Sequence, residues 1–376
     1  MIDVLKDKCC GCYACADACA HKAISFTKNS EGFYFPMIDT SLCRNCGLCD
    51  TVCPVINMPL GKESIISYAA YASNKNPNSS SGGVFSSLAK QILQDGGVVY
   101  GAAYNEKMVL AHRRVSDLSE LKAICGSKYV QSDCSGIYES VKKDILSKVL
   151  VLFSGTPCQV ASLKLYLKKD YDNLILIDLI CHGVPSPGIF SDYLAYCKKL
   201  RLSPVINFRM RDNREGWNNC FKSTLIFRNR KEEYNSMLSN LWNRIFFSEL
   251  TTRKSCGECK YASLRRNGDI TIGDFWGIEN VDARMMNGKG VSLVLINTEK
   301  GERLFSAIKS IITYQEAYTS ETEHPNLYHS TKQNPQRDSF MSDYSKFGFW
   351  YVINKYFGYN ILLDIKVVVS RLFRRK

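Results

Sequence analysis

The sequence lacks several features that would assign it to a class at once. No stretch reaches the roughly eighteen consecutive apolar residues that a membrane-spanning helix needs. Met1, Ile2 and Asp3 are not followed by the basic and apolar regions of a secretion signal. Low-complexity segments are also absent, and 45% hydrophobic with 23% charged residues is ordinary for a globular protein. We therefore expect a protein of a reducing cytoplasm, with two or three domains in 376 residues.

Acidic residues are scarce relative to basic ones. The chain has 36 Asp and Glu against 49 Lys and Arg, a net charge of +13. Most of the excess lies between Lys198 and Arg266, where sixteen basic residues accompany six acidic ones. Such a stretch can bind nucleic acid, anionic lipid, an acidic protein or a phosphorylated cofactor. No helix-turn-helix, zinc-finger or RNA-binding signature accompanies it, so we expect no nucleic-acid partner.

Cysteine, by contrast, is abundant, with seventeen residues. Eight of them repeat the spacing C-x2-C-x2-C-x3-C: Cys9, Cys12, Cys15 and Cys19, then Cys43, Cys46, Cys49 and Cys53. In this spacing three thiolates surround one iron–sulfur cube and the fourth binds the other cube. Zinc sites rarely use such a ladder, still less a duplicated one. We therefore assign Cys9, Cys12, Cys15 and Cys53 to a first [4Fe–4S] cluster, and Cys43, Cys46, Cys49 and Cys19 to a second. Residues 3–58 resemble the bacterial two-cluster ferredoxins.

Predicted strands and helices follow a link that runs from Pro54 to Gly61. The turn 79–83, Ser-Ser-Ser-Gly-Gly, precedes an apolar helix. Its N–H groups could bind a phosphate, although the same residues often form a plain helix cap. Two predicted strands, 149–153 and 174–179, lead to Cys158 and Cys181 at their carboxyl ends. In open α/β sheets, ligands bind at this edge.

Nine cysteines lie outside the ladder. Cys158, Cys181 and the C-x2-C pair Cys256 and Cys259 suffice for a third [4Fe–4S] cluster or for a zinc site with four thiolates. Free buried cysteine is the remaining alternative. We expect five cysteines not to be ligands: Cys10, Cys125, Cys134, Cys197 and Cys220.

Six short motifs occur in one order between residues 68 and 312. They are Ser81-Gly82-Gly83-Val84-Phe85 with Gly96-Gly97-Val98-Val99, Gly126-Ser127-Lys128-Tyr129, Gly155-Thr156-Pro157-Cys158-Gln159, Cys181-His182-Gly183, Cys256-Gly257-Glu258-Cys259, and Asp269-Ile270-Thr271-Ile272-Gly273-Asp274. Together they resemble the beta subunit of the deazaflavin-reducing hydrogenases and dehydrogenases, the coenzyme F-420 hydrogenase/dehydrogenase beta family. Members of that family hold FAD beside a [4Fe–4S] cluster.

The resemblance implies roles for individual residues. Cys158, Cys181, Cys256 and Cys259 would hold the third [4Fe–4S] cluster. His182 and Lys128 are the catalytic candidates, where His182 would supply a proton near the flavin or a hydrogen bond to a cluster sulfur, or would merely cap its loop. The candidates for FAD binding are Ser81, Gly82, Gly83, Ser127, Lys128 and Thr156.

We expect an α+β fold in which a 2[4Fe–4S] ferredoxin-like module precedes a mixed α/β flavin- and cluster-binding region. The expected segments are a ferredoxin domain (1–60), an N-terminal flavin-binding subdomain (61–147), a cluster and flavin domain (148–317), and a polar segment with a basic, aromatic-rich tail (318–376). Residues 318–348 are expected to be irregular.

The predicted function is that of an iron–sulfur flavoprotein oxidoreductase. An acidic redox carrier such as ferredoxin or flavodoxin would supply low-potential electrons, which would pass through the clusters and FAD to a small-molecule acceptor. The acceptor would be a deazaflavin-type coenzyme or another small molecule, for example in surface polysaccharide metabolism. The alternative is an electron-relay subunit that has no substrate of its own and docks on a partner enzyme.

The C-terminal tail reads as a basic amphipathic helix over residues 359–376. Cations in its last turn suit the helix dipole, which favours a helix docked on the core. A basic amphipathic helix can also rest on an anionic membrane, so peripheral membrane contact is the second hypothesis.

Overall fold

The computed structural model describes residues 2–217, 221–286 and 288–359. The predicted tail helix and Cys220 therefore lie outside the described residues, apart from Tyr359. Within the described part, no helix combines the length and the apolar character needed to cross a membrane.

The N-terminal segment consists of two cysteine-bearing turns and a hairpin. The elements are α1 (Ala14–Asp17), β1 (Ile24–Lys28), β2 (Tyr34–Ile38) and α2 (Leu48–Thr51), with β1 and β2 antiparallel. Each ladder loop passes through a left-handed residue, Tyr13 in the first and Gly47 in the second, before its short helix begins. The helices α1 and α2 pack on each other.

An eight-stranded mixed sheet organises the chain from residue 66 to residue 316. The strands are β3 (Ile66–Ala72), β4 (Val98–Tyr104), β5 (Leu110–Val115), β6 (Val151–Gly155), β7 (Leu174–Leu179), β11 (Ile270–Asp274), β12 (Ser292–Ile296) and β13 (Ile312–Glu316). Their spatial order is β13, β3, β12, β11, β7, β6, β4, β5.

The centre of this sheet is parallel. Strands β4, β6, β7 and β11 run in one direction, and antiparallel neighbours flank them on both sides. The apolar runs of β6 and β7 are buried almost throughout, as expected for strands that are covered on both faces. Their carboxyl ends lie side by side and carry Thr156 and Ile180 into the loops that hold Cys158 and Cys181.

Helices cover this sheet and begin at defined caps. They are α3 (Val84–Gln94), α4 (Leu121–Ile124), α5 (Ile137–Leu146), α6 (Pro157–Leu167), α9 (Ile278–Val281) and α10 (Glu299–Ile308). Helix α3 starts after Gly83, whose φ of 84° requires a left-handed residue. Helix α6 starts with Pro157, and the Gln159 side chain accepts a hydrogen bond from the Thr156 N–H at 2.9 Å.

A second layer packs around an aromatic core. Phe190, Tyr193, Phe208 and Trp242 are buried there and contact one another. The elements are α7 (Pro187–Arg201), the antiparallel strands β8 (Val205–Arg209), β9 (Thr224–Phe227) and β10 (Glu232–Tyr234), α8 (Met237–Phe247) and α11 (Arg337–Phe357). Gly348 breaks α11 with a φ of 78°.

The α+β class is confirmed by this arrangement. Strands from both sides of residue 147 share one sheet, and the domain bounds at 60, 147 and 317 stay a prediction. The expectation that residues 318–348 are irregular is wrong from Arg337 onward, because α11 begins there. Polar residues dominate its exposed side and concealed the buried face formed by Phe340, Met341 and Phe349.

Candidate functional site

The first-cluster cysteines, Cys9, Cys12, Cys15 and Cys53, lie together. All four line one small enclosed cavity beneath β2. Burial raises the pKa of Cys53 to about 11, and the nearby thiols of Cys12 and Cys9 add to that rise. A buried thiol loses its proton readily only when positive charge lies beside the thiolate. The iron of a cluster would supply that charge. The assignment of these four residues as ligands stays a prediction, and their common position around one cavity agrees with it.

The second-cluster cysteines, Cys43, Cys46, Cys49 and Cys19, are nearer to the surface. Cys46 is exposed and the other three are partly buried. Backbone N–H groups point at two of the sulfurs, with Ala23 N 3.4 Å from Cys19 Sγ and Asn45 N 3.5 Å from Cys43 Sγ. Such amide-to-sulfur contacts are one of the features that set cluster potentials.

The four predicted third-site cysteines, Cys158, Cys181, Cys256 and Cys259, line a single cavity of about 620 Å³, here called the cysteine cavity. Cys158 lies in the first turn of α6 and Cys181 follows β7. The C-x2-C pair comes from the 3-10 turn at Lys254–Glu258 and the residue after it. Three separate parts of the sequence thus meet where the motifs predicted a common site.

Gly183 has a conformation and an environment that exclude larger residues. Its φ is 112°, and a Cβ there would lie 2.6 Å from Thr252 Cγ2 and 3.2 Å from Cys256 Cβ. Its N–H lies 3.4 Å from Cys181 Sγ. The glycine of the Cys-His-Gly motif therefore allows the two cysteine loops to approach each other.

Cys10 was expected not to be a ligand, and nothing in the geometry tests that expectation. The structure nevertheless places it between two sites, since it lines both the small first-cluster cavity and the cysteine cavity. The nearby Cys10 thiol is the main cause that lowers the pKa of Cys12 and lowers the pKa of Cys158 to about 7. The first-cluster site and the third site are therefore in contact through Cys10.

A second cavity, of about 330 Å³, lies on the other side of the carboxyl ends of β6 and β7. We call it the serine/glycine cavity. Five of the six predicted FAD-binding residues line it: Ser81, Gly83, Ser127, Lys128 and Thr156. Gly82 lies beside them but faces the sheet, where a Cβ would lie 2.4 Å from Ala70 O. The volume falls in the range of about 300–1,000 Å³ that is usual for small-molecule sites.

Lys128 is a buried cation in the wall of the serine/glycine cavity. Its Nζ donates to the carbonyl oxygens of Cys125 at 2.9 Å and Gly126 at 3.2 Å. Burial lowers its pKa to about 8. No acidic side chain in the described part of the chain forms an ion pair with it, so its charge is available to an anion in the cavity.

One end of the serine/glycine cavity carries imidazole, carboxylate and aromatic groups. The rings of His182 and His324 lie 5.1 Å apart. Arg211 pairs with Asp274 at 2.6 Å and lies over the ring of Trp276. Burial lowers the pKa of His324 to about 4, and the nearby His182 contributes to that fall. His324 Nδ1 and Asp274 Oδ1 are buried with no hydrogen-bond partner in the described structure.

A short wall separates the two cavities. On the side of the serine/glycine cavity, His112 Nε2 lies 2.9 Å from Ser154 O and its Nδ1 lies 3.1 Å from Ser132 Oγ, while Gln159 donates to Ser132 Oγ at 2.9 Å. Burial lowers the pKa of His112 to about 4. Seven residues line both cavities: Val130, Ser132, Thr156, Gln159, Cys181, Gly183 and Val184.

Three of the cysteines that were expected not to be ligands lie in the interior, and that expectation stays a prediction. Cys125, Cys134 and Cys197 are buried, and no disulfide joins any of the sixteen cysteines that the structure describes. Cys134 Sγ lies 3.2 Å from His112 Nδ1, so it belongs to the wall.

The basic stretch 198–266 does not form a single free basic face. Many of its arginines are held by acids or by backbone carbonyls, some of them buried and some at the surface. Their acidic partners are Glu233 for Arg201, Asp274 for Arg211, Asp212 for Arg214, Glu63 for Arg265 and Asp178 for Arg266. The charge count alone therefore overstates how much of this segment can bind a partner.

Comparison with known proteins identifies both parts of the chain. Residues 8–57 match the sequence model of the 4Fe-4S dicluster domain, and residues 149–320 match that of the C terminus of the coenzyme F420 hydrogenase/dehydrogenase beta subunit. Each match covers its own segment of the chain, and neither extends over half of the 376 residues. Both predicted resemblances are confirmed, and the first match supports [4Fe–4S] clusters in residues 8–57.

Relatives support the two segments separately. The F subunit of the F(420)H(2) dehydrogenase of Methanosarcina mazei is 23% identical over 188 residues, 46% of this chain and 53% of that protein. The ferredoxin-type protein NapF of Escherichia coli K12 is 41% identical over 44 residues, 12% of this chain and 27% of that protein. The chain thus spans about half the length of the first relative and about a quarter of the second.

One solved structure aligns with most of the chain, at a low sequence identity and a low TM-score. A chain of the F420-reducing [NiFe] hydrogenase complex from Methanosarcina barkeri aligns with a TM-score of 0.47 and 15% identity. The alignment covers 80% of this chain and 93% of that chain.

Several residues of the site carried no recognisable signal in the sequence. His324 lies beyond the matched beta-subunit segment, in a polar stretch, and His112 lies on β5, a strand that had not been predicted. Cys10 could have been noticed only because it directly follows Cys9.

Proposed function

We propose that the chain is an iron–sulfur flavoprotein oxidoreductase that passes low-potential electrons from its dicluster domain through a third [4Fe–4S] cluster to FAD, and from there to a small organic acceptor. The observation that carries this proposal is the wall shared by the cysteine cavity and the serine/glycine cavity. A cluster in the cysteine cavity and a flavin in the serine/glycine cavity would be separated by single residues such as Cys181.

The serine/glycine cavity has polar groups that could bind the phosphates of FAD and aromatic groups that could contact its ring. The N-termini of α3 and α6 open at its wall through Gly83 and Thr156, and helix N-termini favour phosphate groups. The buried Lys128 adds a positive charge at the same wall. Aromatic residues at the other end, Phe247 and Trp276 among them, suit a planar ring. When bound, FAD would exchange electrons singly with a cluster and in pairs with an organic molecule.

The cysteine cavity suits a cube better than a zinc ion. In the described part of the chain, no three His, Cys, Asp or Glu side chains converge closely enough to hold a single metal ion. Four thiolates around zinc would lie about 3.8 Å apart, given Zn–S bonds of roughly 2.3 Å. The wider spacing that a [4Fe–4S] cube requires agrees with a cavity of about 620 Å³.

The position of Cys10 supports an order for the internal route. Because Cys10 lines both the first-cluster cavity and the cysteine cavity, the first cluster would be the one that faces the third site. The second-cluster cysteines lie on the outer side, where Cys46 is exposed. Electrons would therefore pass from the second cluster to the first, then to the third site and the flavin.

Residues at the far end of the serine/glycine cavity would contact the acceptor. His324 and Asp274 each present an unpaired buried polar atom there, and unpaired buried atoms are costly unless a ligand satisfies them. His182, a catalytic candidate, lies near His324 and is held neutral because burial lowers its pKa. The relative from Methanosarcina mazei is an F(420)H(2) dehydrogenase subunit, so a deazaflavin is one candidate acceptor.

The test is anaerobic purification followed by assays for iron, sulfide, zinc and flavin. Three cubes predict on the order of twelve irons and twelve sulfides per chain, whereas a zinc site would give about eight irons and one zinc. The loaded chain should then oxidise reduced ferredoxin with an organic acceptor in the absence of any other protein. A chain that never retains FAD, or that holds stoichiometric zinc, contradicts the proposal. A chain with all cofactors but no acceptor activity would instead be the relay subunit.

A further inference from the structure

The dicluster domain exposes one of its two clusters much more than the other. Of the eight ladder cysteines, all of which the structure describes, Cys46 is exposed, while Cys12, Cys15 and Cys53 are buried. An electron that arrives from another protein would therefore enter closest to Cys46.

A groove of about 510 Å³ opens directly beside this cysteine, and we call it the Cys46 groove. One side consists of dicluster-domain residues and the other of the C-terminal end of α6 and the turn that follows it. Its lining residues are Cys46, Leu48, Thr51 and Pro59 on the first side, and Lys164, Leu165, Lys168, Lys169 and Asp170 on the second.

The second side of the groove is basic. Lys168 and Lys169 are exposed and Lys164 is partly buried, against the single acid Asp170. Within the described residues none of the three lysines forms an ion pair, and Lys169 Nζ lies 4.9 Å from the ring centre of Tyr171. This differs from the stretch 198–266, where Arg211, Arg214 and Arg266 each pair with an aspartate.

The dicluster side of the groove presents apolar residues that a partner protein could contact directly. Leu48 and Pro59 line the groove, and Leu60, the next residue, is 86% exposed. Transient protein interfaces combine a small apolar contact with charged residues at the rim, and opposite charges accelerate the encounter. A partner with a carboxylate-rich surface around its own redox centre would match this groove.

We propose that the Cys46 groove is the docking site for an acidic protein that carries one electron at a time. The inference rests on the proposed function and specifies its external partner. In each encounter the reduced carrier loses one electron and the second cluster gains it, with no proton or bond transferred. The lysines hold the carrier, and Cys46 lies at the point where its redox centre approaches.

The test compares two triple variants of the full-length, cluster-loaded protein. The docking variant is Lys164→Gln, Lys168→Gln and Lys169→Gln. The control variant is Lys90→Gln, Lys107→Gln and Lys198→Gln, which removes the same charge from exposed positions that line none of the cavities described here. Iron and sulfide content verifies that both variants carry their clusters.

The measurement is the second-order rate of cluster reduction by a reduced two-cluster ferredoxin of acidic sequence, followed by stopped flow at several salt concentrations. We expect the docking variant to lose on the order of tenfold in rate at low salt and to lose most of its salt dependence. The control variant should change by less than about twofold. Reduction by dithionite should be equal in all three proteins, because a small reductant needs no docking site.

Cross-linking of carboxyl groups to amines provides a second measurement. Cross-links from the ferredoxin should map to Lys164, Lys168 or Lys169. Equal rate losses in the two variants, or cross-links confined to other lysines, would overturn the proposed site. Failure of the proposed function would be distinct: the clusters would still be reduced by ferredoxin at the expected rate, but no flavin would follow.

Discussion

Among single residues, Lys128 has the most unusual environment. Its ammonium group is buried, and among the residues that the structure describes it donates hydrogen bonds to two backbone carbonyl oxygens, those of Cys125 and Gly126. A buried cation without an acidic partner is costly, and a phosphate group in the serine/glycine cavity would offset that cost. This residue is therefore the most direct probe of whether FAD binds there.

Replacement of Lys128 by Met should weaken FAD binding by roughly tenfold or more, since a charge-assisted hydrogen bond contributes about 1.5–3 kcal/mol. The free protein's pKa of about 8 also predicts a pH effect. The ammonium is present below that pH and is lost above it, so FAD affinity should fall as pH rises through 8, and bound phosphate should shift this loss upward. Fluorescence of released FAD measures both effects.

The matched control is Lys90→Met, because Lys90 is an exposed lysine of α3 that lines neither cavity. If Lys128→Met kept the pH dependence of the wild-type protein, the phosphate role of Lys128 would be refuted.

The third-site cysteines provide a second test at the residue scale. Cys259→Ser should remove the third cluster and leave the two clusters of the dicluster domain, because Cys259 lines the cysteine cavity and not the first-cluster cavity. Iron content should fall by about one third. Cys197→Ser is the control, since Cys197 is buried in the aromatic core and lines neither cavity. Loss of every cluster in Cys259→Ser would mean that the partition of ligands is wrong.

The spacing of residues along the sequence predicted the site residues that belong to motifs. It did not predict the residues that folding brings to the site from distant segments. The cysteines of the ladder and of the C-x2-C loop are recognisable because ligand geometry constrains their separation along the chain. Cys10, His112 and His324 are placed by packing between distant segments, and no local pattern marks them.

At the scale of elements, the loop that carries Arg253 and Cys256 packs against the dicluster domain and holds it in position. Arg253, three residues before Cys256, is buried and donates to Cys9 O at 2.7 Å, Tyr34 O at 3.0 Å and Gln131 Oε1 at 2.8 Å. Its guanidinium also lies over the rings of Phe33 and Phe35. The loop that carries two third-site cysteines thereby fixes the loop that carries the first cluster.

Arg253→Met should lower the free energy of unfolding by about 3 kcal/mol, because three hydrogen bonds to a buried cation are lost and their acceptors stay buried. Urea unfolding of the cluster-loaded protein measures this. Arg265→Met removes an exposed pair with Glu63 and should cost less than about 1 kcal/mol. Equal costs for the two variants would show that Arg253 does not anchor the domain.

Element prediction succeeded where apolar periodicity was strong and failed at the edges of the sheet. The buried strands β6 and β7 were expected within two residues of their observed bounds, and α3 begins directly after the turn 79–83, as expected. Strands β5, β10 and β13 were not predicted, since exposed polar residues interrupt each of them. Their places depend on pairing with distant strands, which the sequence of a single segment does not encode.

For the whole molecule, two classes of contact hold the dicluster domain in place. Side chains of the larger part bind backbone carbonyls of the cluster loops, as Tyr138 does with Cys12 O and Tyr261 with Pro54 O. A close approach of Gly32 to Gly188 and the ion pair of Arg337 with Glu31 hold the hairpin side. The sequence predicted both parts of the molecule but not their docking, because these contacts join residues far apart in the chain.

The unequal exposure of the ladder cysteines also bears on damage by dioxygen. An oxidant that diffuses from solvent meets the cluster beside Cys46 first, whereas Cys12, Cys15 and Cys53 are shielded. During a brief exposure to air, the first phase of bleaching should release about four of roughly twelve irons and abolish reduction by ferredoxin. Dithionite should still reduce the remaining clusters at that stage, and ferredoxin-dependent reduction that outlasted the loss of half the iron would contradict this order. Under the proposed function, a sample handled briefly in air would keep its flavin and its inner clusters yet no longer accept electrons from a ferredoxin.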